Sequence, residues 1–265
     1  MQNKFQVNVI ASGSKGNSSI IVAGNTALLI DAGISCKRIL AGIKACGLEP
    51  GDLSGVLLTH EHIDHVAGLP VLSRKTGLPI YANEKTWAAM PKRSEISRES
   101  IRVLPRNFTL GNIKIEAFKI SHDAADPVGY SLFCGKDKCT YLTDCGFLTD
   151  SCIEAVKNAG TLILEANHDV EMLKHGSYPI MLKNRILGRK GHLSNEMAGS
   201  LLVGLDCLPQ EVFLAHLSHE NNKPQLAFDT IDEMLKKANA QETVELYVTR
   251  QDIMVSNMDR RLQDE

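Results

Sequence analysis

The sequence lacks the marks of several protein classes. No apolar run in its 265 residues reaches the roughly 20 residues that span a bilayer. The amino terminus, Met1-Gln-Asn-Lys-Phe-Gln, has no apolar stretch of the secretory kind, so a cytoplasmic location with no membrane contact is expected. The seven cysteines (Cys36, Cys46, Cys134, Cys139, Cys145, Cys152 and Cys207) are odd in number and never form a CxxC pair. That argues against a disulfide framework or a zinc ribbon and predicts buried, reduced thiols. Aromatic residues make up only 5% of the chain, so no stacking platform for bases is evident. Trp87, Tyr130 and Tyr178 stand as single stacking candidates, each with core or rim as the alternative. Internal repeats, low-complexity tracts and Pro/Gly/Ser-rich linkers are missing too. One domain over 1–265, with a polar tail after about 249, is therefore expected.

Strong net charge is also missing. At −2 the chain is not one that coats nucleic acid by bulk electrostatics. Two local stretches are nevertheless basic. Lys174, Lys183, Arg185, Arg189 and Lys190 lie between Glu171 and Glu196 without an acid, and 84–106 carries six basic against three acidic residues. A solvated face is the competing reading for both.

The remaining pattern, 43% hydrophobic and 23% charged, is that of a globular chain with a sizeable core. Short β-rich runs at 7–11, 19–23 and 27–30, split by turns such as Gly24-Asn25, predict a meander. A helix is predicted over 35–46, stopped at Gly47, followed by a strand at 55–58. Further strands are predicted at 79–82, 101–104, 113–120, 129–134, 139–142, 161–164, 211–215 and 244–248, with helices near 150–158, 195–205 and 224–238. Strands first, then strands alternating with helices, predict an α/β chain: two sheets face to face with helices outside, an αββα four-layer sandwich.

The strongest chemical signal is Thr59-His60-Glu61-His62-Ile63-Asp64-His65. It places three imidazoles and the Asp64 carboxylate in six positions directly after an apolar strand, although the chain has only nine histidines. Neutral imidazole and carboxylate are the ligands that Zn²⁺ and related ions prefer, and one loop can aim alternate side chains at neighbouring ions. Three more candidates fall at predicted strand ends, where a sheet fixes geometry and the loop stays open to substrate: His122, Asp144 and His216. Each alone is a weak signal, since a solitary His or Asp at a strand end is more often a hydrogen-bonded turn residue; beside the cluster they become ligand candidates. His219, three residues further on, is the weaker choice.

In this order, Asp31, the 60–65 cluster, His122, Asp144 and His216 resemble the signature of metallo-β-lactamase-fold hydrolases, from residue 7 to about 219. Within that superfamily Ser12-Gly-Ser-Lys-Gly-Asn-Ser, Ser121-His-Asp-Ala-Ala-Asp-Pro-Val-Gly-Tyr and Gly191-His-Leu-Ser-Asn-Glu are similar to the YycJ/WalJ-like branch, which is linked with 5′-to-3′ DNA exonuclease activity. The resemblance implies one metal on His60, His62 and His122, a second on Asp64, His65 and His216, and Asp144 between them. Two such ions about 3.5–4 Å apart can activate a shared water and stabilise charge on a phosphate; Zn²⁺ and Mn²⁺ both suit the donors. Asp31 would orient a ligand from behind, or simply cap the turn after its strand.

The resemblance extends to catalysis and substrate. Glu165 and His192 are similar to the Glu–His proton donor of RNase Z-like enzymes. Here Glu165 sits in Leu-Glu-Ala-Asn-His-Asp rather than the His-Glu-Ala-Thr those proteins tend to show. A carboxylate behind an imidazole orients it and supports the form that delivers a proton. The alternative makes His192 only the residue before a helix capped by Ser194. Ser12, Ser14, Lys15 and Asn17 form a Gly/Ser turn whose N–H groups and hydroxyls could hold a phosphate oxygen. His168 is open between phosphate contact, extra ligand and loop residue.

The expected activity is a two-metal phosphodiesterase, with Asp64, His192 and Glu165 as catalytic residues. It would act 5′ to 3′ on DNA ends, held through the backbone and so largely without regard to sequence. A small-molecule hydrolase opening a cyclic phosphodiester or a thioester, RNA processing of the RNase Z type, and a regulatory protein with a structural metal are the rivals. A channel lined by Lys183, Arg185, Arg189 and Lys190 would favour the nuclease. A homo-oligomer stays open.

Overall fold

The structure, a computed structural model, describes residues 5–240 and 243–258; the end of the polar tail, 259–265, lies outside the described residues. The first sheet is built from Gln6–Ala11 (β1), Ser18–Ala23 (β2), Thr26–Ile30 (β3), Leu53–Leu57 (β4), Ile80–Ala82 (β5) and Ile101–Val103 (β6). The second contains Asn107–Leu110 (β7), Ile113–Lys119 (β8), Val128–Cys134 (β9), Asp137–Leu142 (β10), Thr161–Glu165 (β11), Glu211–Ala215 (β12) and Glu245–Val248 (β13). Val255–Ser256 (β14), from the tail whose state the sequence does not decide, returns to pair with β1. The spatial orders are β14-β1-β2-β3-β4-β5-β6 and β13-β12-β11-β10-β9-β8-β7. Both sheets follow one plan. Antiparallel strands (β1 to β3, β7 to β10) give way to parallel ones (β3 to β6, β10 to β13).

Central strands read as unbroken apolar runs because both their faces are covered. In β2 and β3, Ile20 and Leu29 pack outward against helices, while Ile21, Leu28 and Ile30 pack inward against the second sheet. In β11, Leu162 and Leu164 face outward and Ile163 inward. Alternate side chains point to opposite faces, so one run feeds two cores, and each fully buried Ile or Leu contributes about 1.5–3 kcal/mol.

The outer layer over the first sheet comprises Cys36–Ala45 (α1), Ile63–Val66 (α2), Leu69–Thr76 (α3) and Glu84–Ala89 (α4). Ser35 caps α1 by accepting from the Arg38 N–H, and Ile39 and Ile43, four residues apart, lie on its buried side. Over the second sheet lie Asp150–Val156 (α5), Val170–His175 (α6), Ile180–Leu187 (α7), Asn195–Val203 (α8) and Pro224–Lys237 (α9). Ala227, Ile231 and Leu235 of α9 repeat at helical spacing in the core. The αββα sandwich expected from the sequence is thus the one observed. Five helices (α2, α3, α4, α6 and α7) go beyond that expectation; at four to eight residues each they barely complete two turns, too few to show a period. The four-residue edge strand β7 escapes for the same reason.

All seven cysteines are free, and five are buried; Cys46 is half-buried and Cys207 exposed, against the expectation of burial. Trp87 is buried, with its indole N–H donated to the Arg102 carbonyl, and Tyr130 is buried in the inter-sheet core; neither can stack on a base. Among the described residues no helix is long and apolar enough to cross a membrane.

Candidate metal centre

The strand ends set the frame. Asp31, Asp144 and His216 directly follow, or stand two residues after, β3, β10 and β12. Each holds a left-handed backbone, with φ of 58°, 56° and 57°. That conformation costs a non-glycine residue of order 1–3 kcal/mol and persists only where its surroundings impose it. It turns the chain sharply off the sheet, so that side chains from both sheets meet at one edge. The 60–65 segment supplies the rest. His60 and His62 precede α2 in extended chain, where alternate side chains share a side; α2 then begins, and its first turn carries Asp64 and His65.

Two groups of donors result. His60, His62 and His122 offer nitrogens within 4.8 Å of one another, and Asp64, His65 and His216 form a second such group. Asp144 lies between them. Its Oδ2 is 3.4 Å from His65 Nε2, and its Oδ1 is 3.5 Å from His216 Nε2 and 3.8 Å from His122 Nε2. His60 Nε2, Asp144 Oδ2 and His216 Nε2 are buried with no hydrogen-bond partner. Orphaned buried polar atoms are costly, and a divalent cation would satisfy all three, so the donor set fits metal.

The rings are oriented from behind. Asp31, fully buried, takes a bond from the Thr59 N–H at 2.9 Å and faces His65 Nδ1 at 2.8 Å. The Thr59 hydroxyl donates to the same carboxylate and lies 3.0 Å from His60 Nδ1. Glu165 Oε1 faces His216 Nδ1 at 3.0 Å and His192 Nδ1 at 2.7 Å, while its Oε2 accepts the Cys145 and Leu193 N–H groups. Those four bonds occupy Glu165, which therefore orients rings rather than holding metal. For His60, His65 and His216, acceptors behind Nδ1 fix the proton there and leave the Nε2 lone pair for a metal.

Charge follows the same layout. Burial, with His65, His122 and His62 adding to it, pushes His60 well below the usual imidazole range. Burial also opposes charge on Asp64, but the His65 and His216 rings hold its carboxyl below the usual range. For His216, burial is outweighed by Asp144, Asp64 and Glu165, which raise it to about 10. The carboxylates thus favour positive charge at His216, whereas His60 is held neutral.

The Ser12–Asn17 turn, expected to hold phosphate, braces the centre. The Ser12 hydroxyl accepts the His216 N–H at 2.7 Å, and Asn17 accepts from the Gly13 N–H through Oδ1. The N–H groups of Lys15, Gly16 and Asn17 go to Gln251, Gly13 and Asp64. Four of its N–H groups are thus bonded within the protein; the Lys15 side chain is exposed, and Ser14 alone of the turn lines the cleft. The brace depends on Gly33, whose N–H donates to the Asn17 carbonyl. A Cβ there would overlap the Asp64 carbonyl.

The cleft is a cavity of about 230 Å³, lined by Ser14, Tyr178, Leu182, Arg185, Ile186 and His192 beside the donors. Of the four cations expected to form a channel, Arg185 alone lines it, held by Asp123 at 2.6 Å. Lys183 donates to the Lys174 carbonyl, and the Arg189 guanidinium lies 3.6 Å from the centre of the Phe147 ring. Thr59, Asn167 (which donates to the His216 carbonyl) and Ser218 belong to the site without any signal of their own beyond adjacency to a histidine. His168 lies outside the cleft wall, buried, with Nδ1 unpartnered; burial first, then His192, lowers it to about 4. His219 is exposed and paired with Glu220.

A family model described as the beta-lactamase superfamily domain matches residues 26–217. Exodeoxyribonuclease WalJ of Streptococcus pneumoniae is 41% identical over 241 residues, covering 89% of this chain and 90% of the relative. Exodeoxyribonuclease YycJ of Bacillus anthracis is 41% identical over 235 residues, covering 86% and 88%. Among solved structures, the metallo-beta-lactamase fold protein YhfI from Bacillus subtilis matches with a TM-score of 0.67 at 18% identity, over 95% of this chain and 99% of that one, a likeness of fold.

Proposed function

The chain belongs to the beta-lactamase superfamily, and from that premise we propose that it is a metal-dependent phosphodiesterase that degrades DNA from its ends, 5′ to 3′. The observation that carries the reading is 41% identity, over about nine-tenths of both chains, to a relative named as an exodeoxyribonuclease. The donor set supports it. His60, His62 and His122 would hold one ion, Asp64, His65 and His216 a second, with Asp144 shared; Zn²⁺ and Mn²⁺ both suit these ligands. Such ions, when bound, supply Lewis-acid stabilisation of phosphate charge and activate a water for attack.

The chain's own residues do the rest. Arg185, positive and anchored by Asp123, attracts the phosphate backbone to the cleft wall and carries no sequence information. His192, its Nδ1 held by Glu165, turns Nε2 to the cleft and is placed to hand a proton to the leaving oxygen. Asp31 and Thr59 keep one histidine of each group in register. The chain works as one domain in the cytoplasm.

The test is digestion of a linear duplex labelled separately at each end type, with Mn²⁺ or Zn²⁺, by the wild type and by Asp64→Ala. Metal-dependent loss of nucleotides from 5′ ends, absent in the variant, is expected. DNA left intact under both metals would overturn the reading in favour of a small phosphodiester or a thioester.

A further inference from the structure

Helix α7 has two unlike faces. Leu182, Arg185 and Ile186, at helical spacing, line the metal cleft. Ile180 and Leu187, seven residues apart and so on a common face, point the other way and are 69% and 45% exposed, and Met181 at the tip is 83% exposed. Ile180 and Met181, neighbours at the start of the helix, and Leu187 at its far end, about 10 Å along the axis, leave large apolar side chains in water beside the cleft. The helix is firmly placed: Arg185 is bonded to Asp123, and the His192 N–H donates to the Ile186 carbonyl, tying the ridge to the candidate proton donor. The surrounding charge is basic, with no acid between Glu171 and Glu196.

The cleft is too small for a duplex. A cavity of about 230 Å³ is roughly 6 Å on a side, room for one nucleotide's sugar and phosphate and not for two paired strands, which stand either side of a major groove about 12 Å wide. Separating the strands of a duplex end would let the strand to be cut reach into it.

We propose that α7 is a ridge that parts the strands of a DNA end. The strand to be cut follows the inner face, past Arg185, into the cleft. The complementary strand is turned onto the outer face, where Ile180, Met181 and Leu187 cover its unstacked terminal bases and Lys183 meets its backbone. Apolar side chains serve as wedges between base steps in proteins that kink DNA, and an exposed Ile-Met pair at a helix tip has that form. The proposal rests on the phosphodiesterase reading above and adds how a duplex is admitted.

The experiment compares wild type with an Ile180→Ser, Met181→Ser double variant on three substrates of one sequence: a single strand, a blunt duplex, and a duplex whose terminal bases are mismatched into a fork. Both side chains are exposed, so the fold should be kept, which melting temperature checks. Slowing by about tenfold on the blunt duplex alone, with the single strand and the fork unchanged, is expected. Equal rates on all three substrates, equal slowing on all three, or a wild type that digests single strands only would overturn the ridge while leaving the nuclease intact. A wild type inert on every substrate would overturn the nuclease reading itself. A change in oligomeric mass with no change in duplex rate would assign the apolar face to contact between copies.

Discussion

The Asp31 carboxylate stands 2.8 Å from His65 Nδ1, and through the Thr59 hydroxyl it reaches His60 Nδ1 as well. One buried carboxylate therefore orients a histidine in each donor group. Asp31→Asn turns an amide N–H toward a ring nitrogen that needs an acceptor, and metal affinity should fall about 10–100-fold. Competition against a chelator of known affinity measures it; unchanged affinity would mean the rings are held by packing alone.

Glu165 and His192 invite a different comparison. His192→Ala should keep the metal content and slow an ordinary phosphodiester by about 10²–10⁴-fold. An activated aryl phosphodiester, whose leaving group needs no proton, should be slowed only a few-fold. Equal slowing of both substrates would remove His192 from the proton-donor role.

Gly33 has no chemistry, yet a Cβ there would overlap the Asp64 carbonyl. Gly33→Ala should push the 60–65 segment away from the Ser12–Asn17 brace, lowering both melting temperature and metal content. The second loss is the diagnostic one. A variant that melts early but binds metal with wild-type affinity would show that the strain is absorbed elsewhere.

Arg185 is the cation of the basic stretch that lines the cleft. Arg185→Ala should raise KM for DNA and reduce the salt dependence of binding by about one released counterion. Lys183→Ala, remote from the cleft wall, should leave single-strand KM nearly unchanged. Binding isotherms at several salt concentrations separate the two.

His168 predicts an acid limit. Its ring is held down at about 4 in the folded chain, against about 6.5 when unfolded, so the unfolded chain binds the proton more readily. Stability is therefore unaffected above about pH 6.5, falls as pH drops through the window from 6.5 to 4, and levels off below it. The cost there is about 3 kcal/mol. Denaturant titrations from pH 7 to pH 4 should show a shallower loss for His168→Gln than for the wild type; parallel losses would remove His168 as the source.

The sandwich and the metal-donor candidates were legible in the sequence because their signals are local. A two-sided strand writes its burial into five or six consecutive residues, and four donors crowd into one loop. Asp144 and His216 were legible only in combination with that loop. The turn at Ser12 shows the limit. Its composition suits a phosphate, but its hydroxyl also accepts an N–H 204 residues away, and no local pattern records that pairing. The same holds for Glu165, whose bonds to His192 and His216 span 27 and 51 residues, and for α7, too short to show a period. The sequence by itself determined which side chains were available and which strands would be buried on both faces. Tertiary packing decided which donors remained free and which cation reached the cleft, because those depend on partners that the chain brings together only when it folds.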